Sequence, residues 1–470
     1  MRSLLLVPEA LVVGTAILVL LMGRLGALQK SLRPYLPAIV SCVVLVALLV
    51  ELWVGATLAS LFGGAFLQDR FALFAKAAAL LAAGTAIAVA DWSAEDSLSI
   101  GLSMTLLAAF GVMVIASAGD FVALWAGLEL AAAAGVVLVG LRRPALGLRL
   151  LVAGGVATAL LVFGFAFVYA TAGTADLLTA RGILQSAAPT LPLAVPVLLL
   201  FGGLGMRAGV APFHIASLPA SLGATPLGAG LILGLVATAG LVAAIKVAAV
   251  ISPVPQVFSP YLEVIAGVAM VGGGAAALAV RAPRARLAYL AVGQVGWVVA
   301  GLATHYRGGL GASLFLLGAF ALAATCGPAV LGGTDGGEAS LAGIGALRPA
   351  RAAGIAMAFL SLAGVPPLAG FFGEFAVAAA LAQSGHFGLL ALGLLGSVLS
   401  LAAVLGTLRV VYIQSPPEEG RRAGGFGLPT WTRFSTAGAV ALSAAIVAYG
   451  ILGNPILGLA YQGAEALGLR

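Results

Sequence analysis

The chain has 470 residues, of which 62% are hydrophobic and 8% charged, whereas a soluble domain carries about a quarter charged residues. A compact soluble domain of this length would still expose more surface than so few polar groups can wet, so a soluble fold is excluded. The formal net charge of +7 is scattered thinly over short segments, which argues against a nucleic-acid partner and reports the topological bias of membrane loops.

A helix needs about 20 predominantly apolar residues to cross a bilayer. On that rule roughly 14 spans follow in chain order, beginning near Leu4, Tyr35, Phe71, Leu98, Phe121, Leu148, Leu193, Pro226, Tyr261, Arg286, Gly309, Arg351, Phe387 and Ser435. The first, Leu4 to Met22, reads as a span and not as a cleaved leader, because many equally apolar segments continue from it. The expected fold is an all-α polytopic transmembrane bundle forming a single domain over residues 1–470. The longest polar connector, Gln414 to Arg433, is only a surface loop. The abundant glycine (65 residues) and alanine suit close packing of helix on helix.

Basic residues cluster after odd-numbered spans: Arg24, Lys30 and Arg33, then Arg142 and Arg143, Arg281 and Arg284, Arg348, and Arg421 and Arg422. The alternate loops hold only Arg70, Arg181 and Arg307. By the positive-inside rule the first set faces the cytoplasm, which places both termini outside. Cys42 and Cys326 lie in apolar runs with no partner spacing for a disulfide or a metal, and read as packing residues.

An ionisable group deep in a span costs about 2.5 to 3.5 kcal/mol on insertion scales, so each needs a partner, a wet cavity or a function. Lys76, Glu129, Arg207, Lys246 and Glu374 fall within or near spans, and Glu51, Asp120 and Glu263 lie closer to predicted ends. Lys76, Lys246 and Glu263 either snorkel to an interface or are held inside. Glu129 has no such escape: it stands in Trp125–Leu130 ahead of an alanine run, and must find a cation. Prolines interrupt two of the charge-bearing spans, Pro212 after Arg207 and Pro366–Pro367 before Glu374, with His214 just beyond the first. They either end helices in loops or break helices at membrane depth, where a break is tolerated beside a cavity. Two broken, charge-bearing helices at corresponding positions point to an ion path between repeats.

Several stretches, in order, resemble one family: Ala116–Asp120 with Gly127–Leu130, Arg149 to Gly164, Met206–Arg207 to Pro212–His214, Arg286–Tyr289 to Gln294–Gly296, and most specifically Leu360 to Phe375, LSLAGVPPLAGFFGEF. These resemble the antiporter-like membrane subunits of proton-pumping NADH:quinone oxidoreductase (respiratory complex I), relatives of multisubunit Na+/H+ antiporter subunits. Val7–Glu9 and the span count resemble subunit N.

The resemblance implies two inverted repeats, approximately 110–250 and 255–413, each with a broken helix, and a midplane chain of ionisable groups. It implies Glu129 as the carboxylate of a switchable pair, Arg207 and Arg149 at positions where the family has Lys, and Glu374 at the exit; Lys246 and His214 are further candidates for the path. It also implies other membrane subunits as partners, an inner (cytoplasmic) membrane location, and no cofactor in this chain, with quinone, NADH, flavin and iron–sulfur clusters served by partner subunits.

Two departures stand out. Arginine stays protonated, with a pKa above about 12, so Arg207 holds a charge without passing one. The central lysine expected near Ala237 or Thr238 is absent, and Lys246 lies about 12 to 14 Å further along the helix at about 1.5 Å per residue. Three functions therefore stay open: a proton-translocating subunit, a non-conducting scaffold paralogue in the same complex, and a cation/proton antiporter subunit.

Overall fold

The computed structural model describes residues 2–25, 33–55, 57–92, 97–186, 194–253, 255–332, 337–415 and 433–468. Lys30, Arg421 and Arg422 lie outside the described residues. Two peripheral helices, α1 (Val7–Met22) and α2 (Leu36–Val54), come first. A small antiparallel hairpin follows, β1 (Ala59–Leu61) paired with β2 (Phe66–Gln68), Ala59 opposite Gln68. Then come α3 (Arg70–Val89), α4 (Leu98–Ser117), α5 (Phe121–Arg142), α6 (Pro144–Ala172) and the short α7 (Leu177–Ser186).

The first interrupted segment consists of α8 (Ala194–Ala208) and α9 (Ser217–Gly223). The next crossing, Pro226–Ile251, runs through α10 (Pro226–Gly230), a π-helical stretch (Leu231–Val236) and α11 (Ala237–Ile251). It is followed by α12 (Pro255–Ala279), α13 (Pro283–Ala303), α14 (Arg307–Leu331), the single turn α15 (Ile344–Leu347), and a second interrupted segment, α16 (Pro349–Leu362) and α17 (Ala369–Gln383). The chain closes with α18 (Phe387–Tyr412), α19 (Arg433–Ile451) and α20 (Gly453–Ala466).

Among the described residues, thirteen helical segments are long and apolar enough to cross a membrane. The shorter α16 and α17, joined through Ala363–Leu368, supply a fourteenth crossing in two pieces. Each expected span is present, displaced by at most a few residues. Three elements depart from the reading: the β hairpin, α7, and α20 after the last span. The first is too short, and the other two too mixed in polarity, to leave an apolar-run signature.

The helices start where the local chemistry permits. Asp69 and Asp120 adopt extended backbone, and their carboxylates accept the N–H of Ala72 and Ala123, each at 2.7 Å, capping α3 and α5; such caps are worth about 1 kcal/mol. Asp120, placed near a span end by the sequence, thus finds its partner in the backbone of α5. Two of the buried arginines, Arg286 and Arg351, serve helix ends from the other side. Arg286 donates to the carbonyls of Ala277 and Val280 at the end of α12, and Arg351 donates to those of Val330 and Leu331 at the end of α14, where the helix dipole favours a cation.

At the centre stands α14, enclosed along its length by α3, α13, α16, α17, α20 and the π-helical stretch. Close approach explains the glycines: a Cβ on Gly230 or Gly234 would fall about 2 Å from Thr325 of α14, so only glycine lets those backbones meet.

Candidate functional site

The first polar site joins α5, α6 and α8. The Arg207 guanidinium donates to the Glu129 carboxylate, to Thr158 Oγ1 (2.8 Å) and to the Gly154 carbonyl (3.2 Å). Thr158 in turn donates to Glu129 Oε1 at 2.5 Å. The pairing expected from sequence is present. The two partners are placed differently: the Arg207 side chain is 6% exposed and that of Glu129 36%. Glu129 thus lies at the edge of this chain, on the stripe of α5 that presents Val122, Trp125 and Val137 outward. Arg149 is exposed on α6 and the structure does not bring it to the buried groups.

Directly after Arg207 the helix breaks in Gly209-Val210-Ala211-Pro212, with Gly209 at φ +67°. His214 falls in a single 3-10 turn beyond the break, its ring edge-on to Tyr289 at 6.1 Å and its Nδ1 buried without a partner among the described residues. A cavity of about 50 Å³ opens between Arg207, His214 and Ser217 on one side and Ala288, Ala291, Val295 and Phe320 on the other. Ala237 lines it. The position where the resemblance expects a lysine is thus apolar wall, and the adjacent Thr238 is fully buried, its hydroxyl without a partner among the described residues.

The second polar site is built around the second break, Gly364-Val365-Pro366-Pro367, with Gly364 at φ +65°. Both breaks thus read Gly-Val-X-Pro with a left-handed glycine, a correspondence visible in the sequence. Glu374 of α17 is buried, its Oε1 accepting from Gln294 Nε2 (3.3 Å) and its Oε2 from Ser397 Oγ (2.7 Å). Ser397 accepts in turn from Trp297 Nε1 at 3.1 Å. Among the described residues no cation forms a salt bridge with Glu374. Its carboxyl rests against Gly364, where any Cβ would come within 2.2 Å of Oε2.

Lys246 lies in neither site. Near the far end of α11, its Nζ donates to the Ala118 carbonyl at 2.6 Å and sits 5.4 Å from the centre of the Phe71 ring. It lines a separate small cleft, about 30 Å³, with Asp69 and Arg181. Lys246 is buried, so of its two sequence readings the internal one holds, and it lines a different cavity from the one that Ala237 lines. Glu263 stays at the periphery, paired with His386 at 3.3 Å. Burial lowers the pKa of the Arg181 guanidinium on α7 below its ordinary value.

The sequence reading missed a third polar cluster: Lys76 is fully buried and ion-paired to Glu9 at 2.5 Å. With Glu51 and Gln68 beside them, its members come from α1, α2, β2 and α3, so no local motif announces it. The only available signal was the recurrence of isolated ionisable groups in the first, second and third spans.

A bundle of this size, with two interrupted helices and an internal carboxyl at one break, defines a polytopic membrane protein that holds ionisable groups within its helical core. The family model described as NADH:quinone oxidoreductase/Mrp antiporter, TM, matches residues 118–400, and the chain belongs to that family. NADH-quinone oxidoreductase subunit N of Rhodospirillum rubrum is 31% identical over 89% of this chain and 90% of its own length. NAD(P)H-quinone oxidoreductase subunit 2 of Thermosynechococcus vestitus is 30% identical over 97% of this chain and 91% of its own. In fold, the chain is similar to one of respiratory complex I from Thermus thermophilus (TM-score 0.78, 23% identity, 96% of this chain and 98% of that one). It is also similar to a chain of the Mrp complex from Dietzia (TM-score 0.80, 21% identity, 98% and 97%).

Proposed function

We propose that this chain is the subunit N type of membrane subunit in an NADH:quinone oxidoreductase and contributes to redox-coupled proton translocation. Its partners are then the other membrane subunits of that complex in the inner membrane, and the quinone, NADH, flavin and iron–sulfur chemistry belongs to partner chains. Family membership and the full-length similarity to subunit N support the assignment. The single observation that carries the proton role is Glu374, an internal carboxyl at a helix break held by two neutral donors and no cation, and so able to change its charge without breaking an ion pair. Glu129 and Arg207 act as a fixed pair that sets the field at the other end of the path, with His214 in the cavity between them and α13. The repeats 110–250 and 255–413, one Gly-Val-X-Pro break in each, frame this path.

A second reading is favoured by the apolar wall at Ala237 and by Arg207, which keeps its proton: the chain holds its place in the complex and conducts nothing. Donor-driven proton uptake in vesicles carrying the assembled complex separates the two. With Glu374→Gln the proton-to-electron ratio falls while assembly and quinone reduction persist. An unchanged ratio with intact assembly leaves the scaffold reading.

A further inference from the structure

Three ionisable side chains of the first three spans and one amide of the hairpin meet inside the bundle: Glu9 of α1, Glu51 of α2, Lys76 of α3 and Gln68 of β2, respectively 7%, 1%, 0% and 2% exposed. Lys76 Nζ donates to Glu9 Oε1 at 2.5 Å and to Gln68 Oε1 at 2.6 Å, and lies 3.9 Å from Glu51 Oε2. Gln68 Nε2 donates to Glu51 Oε1 at 2.8 Å and approaches the Gly55 carbonyl at 3.4 Å. The Phe66 ring covers the ammonium, 4.7 Å from its centre. The cluster lies outside the segment matched by the family model and outside both proposed repeats.

Charge bookkeeping sets its chemistry. Two carboxyl groups face one ammonium, so full ionisation leaves one excess negative charge in an enclosed site, which low polarity disfavours. No other described group supplies the balance. The neighbouring α4 has no titratable side chain; Arg70 of α3 is exposed; Lys246 and Asp69, opposite in charge, line one separate cleft; and Arg307 of α14 is paired with Glu465 of α20 at 2.5 Å. A second observation points the same way. Glu9 Oε2 is buried with no hydrogen-bond partner among the described residues, leaving a carboxyl oxygen open to accept a proton.

We propose that Glu9, Glu51 and Lys76 form a second protonation site that holds one exchangeable proton shared between the two carboxyls. On loading, an O–H bond of hydronium breaks as an O–H bond forms on one carboxylate; on release that bond breaks, the proton returns to water and the excess charge is restored. The β1–β2 hairpin is the lid. Its last residue is Gln68, and it is tied to the start of α5 by the Gly119 N–H to Ala65 carbonyl bond (3.0 Å) and the Phe66–Ala118 bridge. Lys246 donates to the Ala118 carbonyl at that same tie, so the lid over the cluster also borders the small cleft with Asp69 and Arg181.

Infrared spectroscopy of the full chain in lipid nanodiscs tests this without any electron donor, and hence independently of the proposed translocation. At neutral pH the protein shows a protonated-carboxyl C=O band that shifts in heavy water. Glu51→Gln or Glu9→Gln removes it, whereas Glu374→Gln leaves it in place. Glu51→Gln retains the Lys76–Glu9 pair, so it reports even if Glu9→Gln fails to fold. Loss of ionised-carboxylate bands alone in both variants, or a band that does not move in heavy water, overturns the proposal and makes the cluster a static ion pair.

Discussion

Glu129 and Arg207 show how exposure decides what a pair is worth. Removing one partner of a fully buried pair costs about 3 to 5 kcal/mol, while exposed pairs are worth about 0 to 1 kcal/mol. With Arg207 enclosed and Glu129 a third exposed, Glu129→Gln is expected to cost about 1 to 3 kcal/mol, between those limits. Thermal unfolding of the full chain in detergent measures it, and Glu129→Gln combined with Arg207→Met should recover most of the loss because no lone cation remains. The pairing was legible from sequence, since an isolated glutamate in an alanine-rich span needs a cation. Its position at the edge of the chain was not: every face of α5 is apolar, so periodicity does not say which one looks inward. The Lys76 cluster escaped for a related reason, because a lysine seven residues into a span is also consistent with snorkelling, and only three-dimensional packing brings Glu9, Glu51 and Gln68 to it.

At the level of elements, the two breaks are the parts most readable in the sequence. Glycine two or three residues ahead of proline marks where each helix stops, and the structure places a left-handed glycine at both. At Gly364 the constraint is double, since the backbone occupies the region L residues avoid and the Glu374 carboxyl fills the space of a side chain. Gly364→Ala is therefore expected to lower stability by about 1 to 2 kcal/mol from backbone strain and to push the carboxyl away from Ser397. A reduced unfolding temperature, with proton uptake reduced as in Glu374→Gln, would report both effects; retention of wild-type uptake would show that the carboxyl's placement does not matter. The π-helical stretch Leu231–Val236 left no trace in the apolar run. It sets the register of α11 just before Ala237, and π turns are frequent at functional sites.

For the whole molecule, the order and type of the crossings were available from hydropathy alone, because bilayer thickness fixes helix length. The hairpin, α7 and α20 were not, since nothing in apolar run length encodes short elements at the rims. Orientation is a separate matter, and here we propose that the fourteen crossings leave both termini on one side and that, by the positive-inside bias of the arginine-rich loops after odd-numbered spans, that side is outside. A reporter fused to the C-terminus should be active when it requires export and silent when it requires the cytoplasm. The opposite pattern would reverse the assigned topology.

The enclosure of α14 has a consequence for how the chain is made. This helix is apolar enough to enter the membrane as soon as it is synthesised, yet its neighbours include α16, α17 and α20, which are translated later. At Gly311 the Tyr461 ring of α20 occupies the place of a side chain. Until those helices follow, only earlier elements such as α3, α13 and the π-helical stretch can cover α14, and the notch at Gly311 has no occupant from this chain before α20 is made.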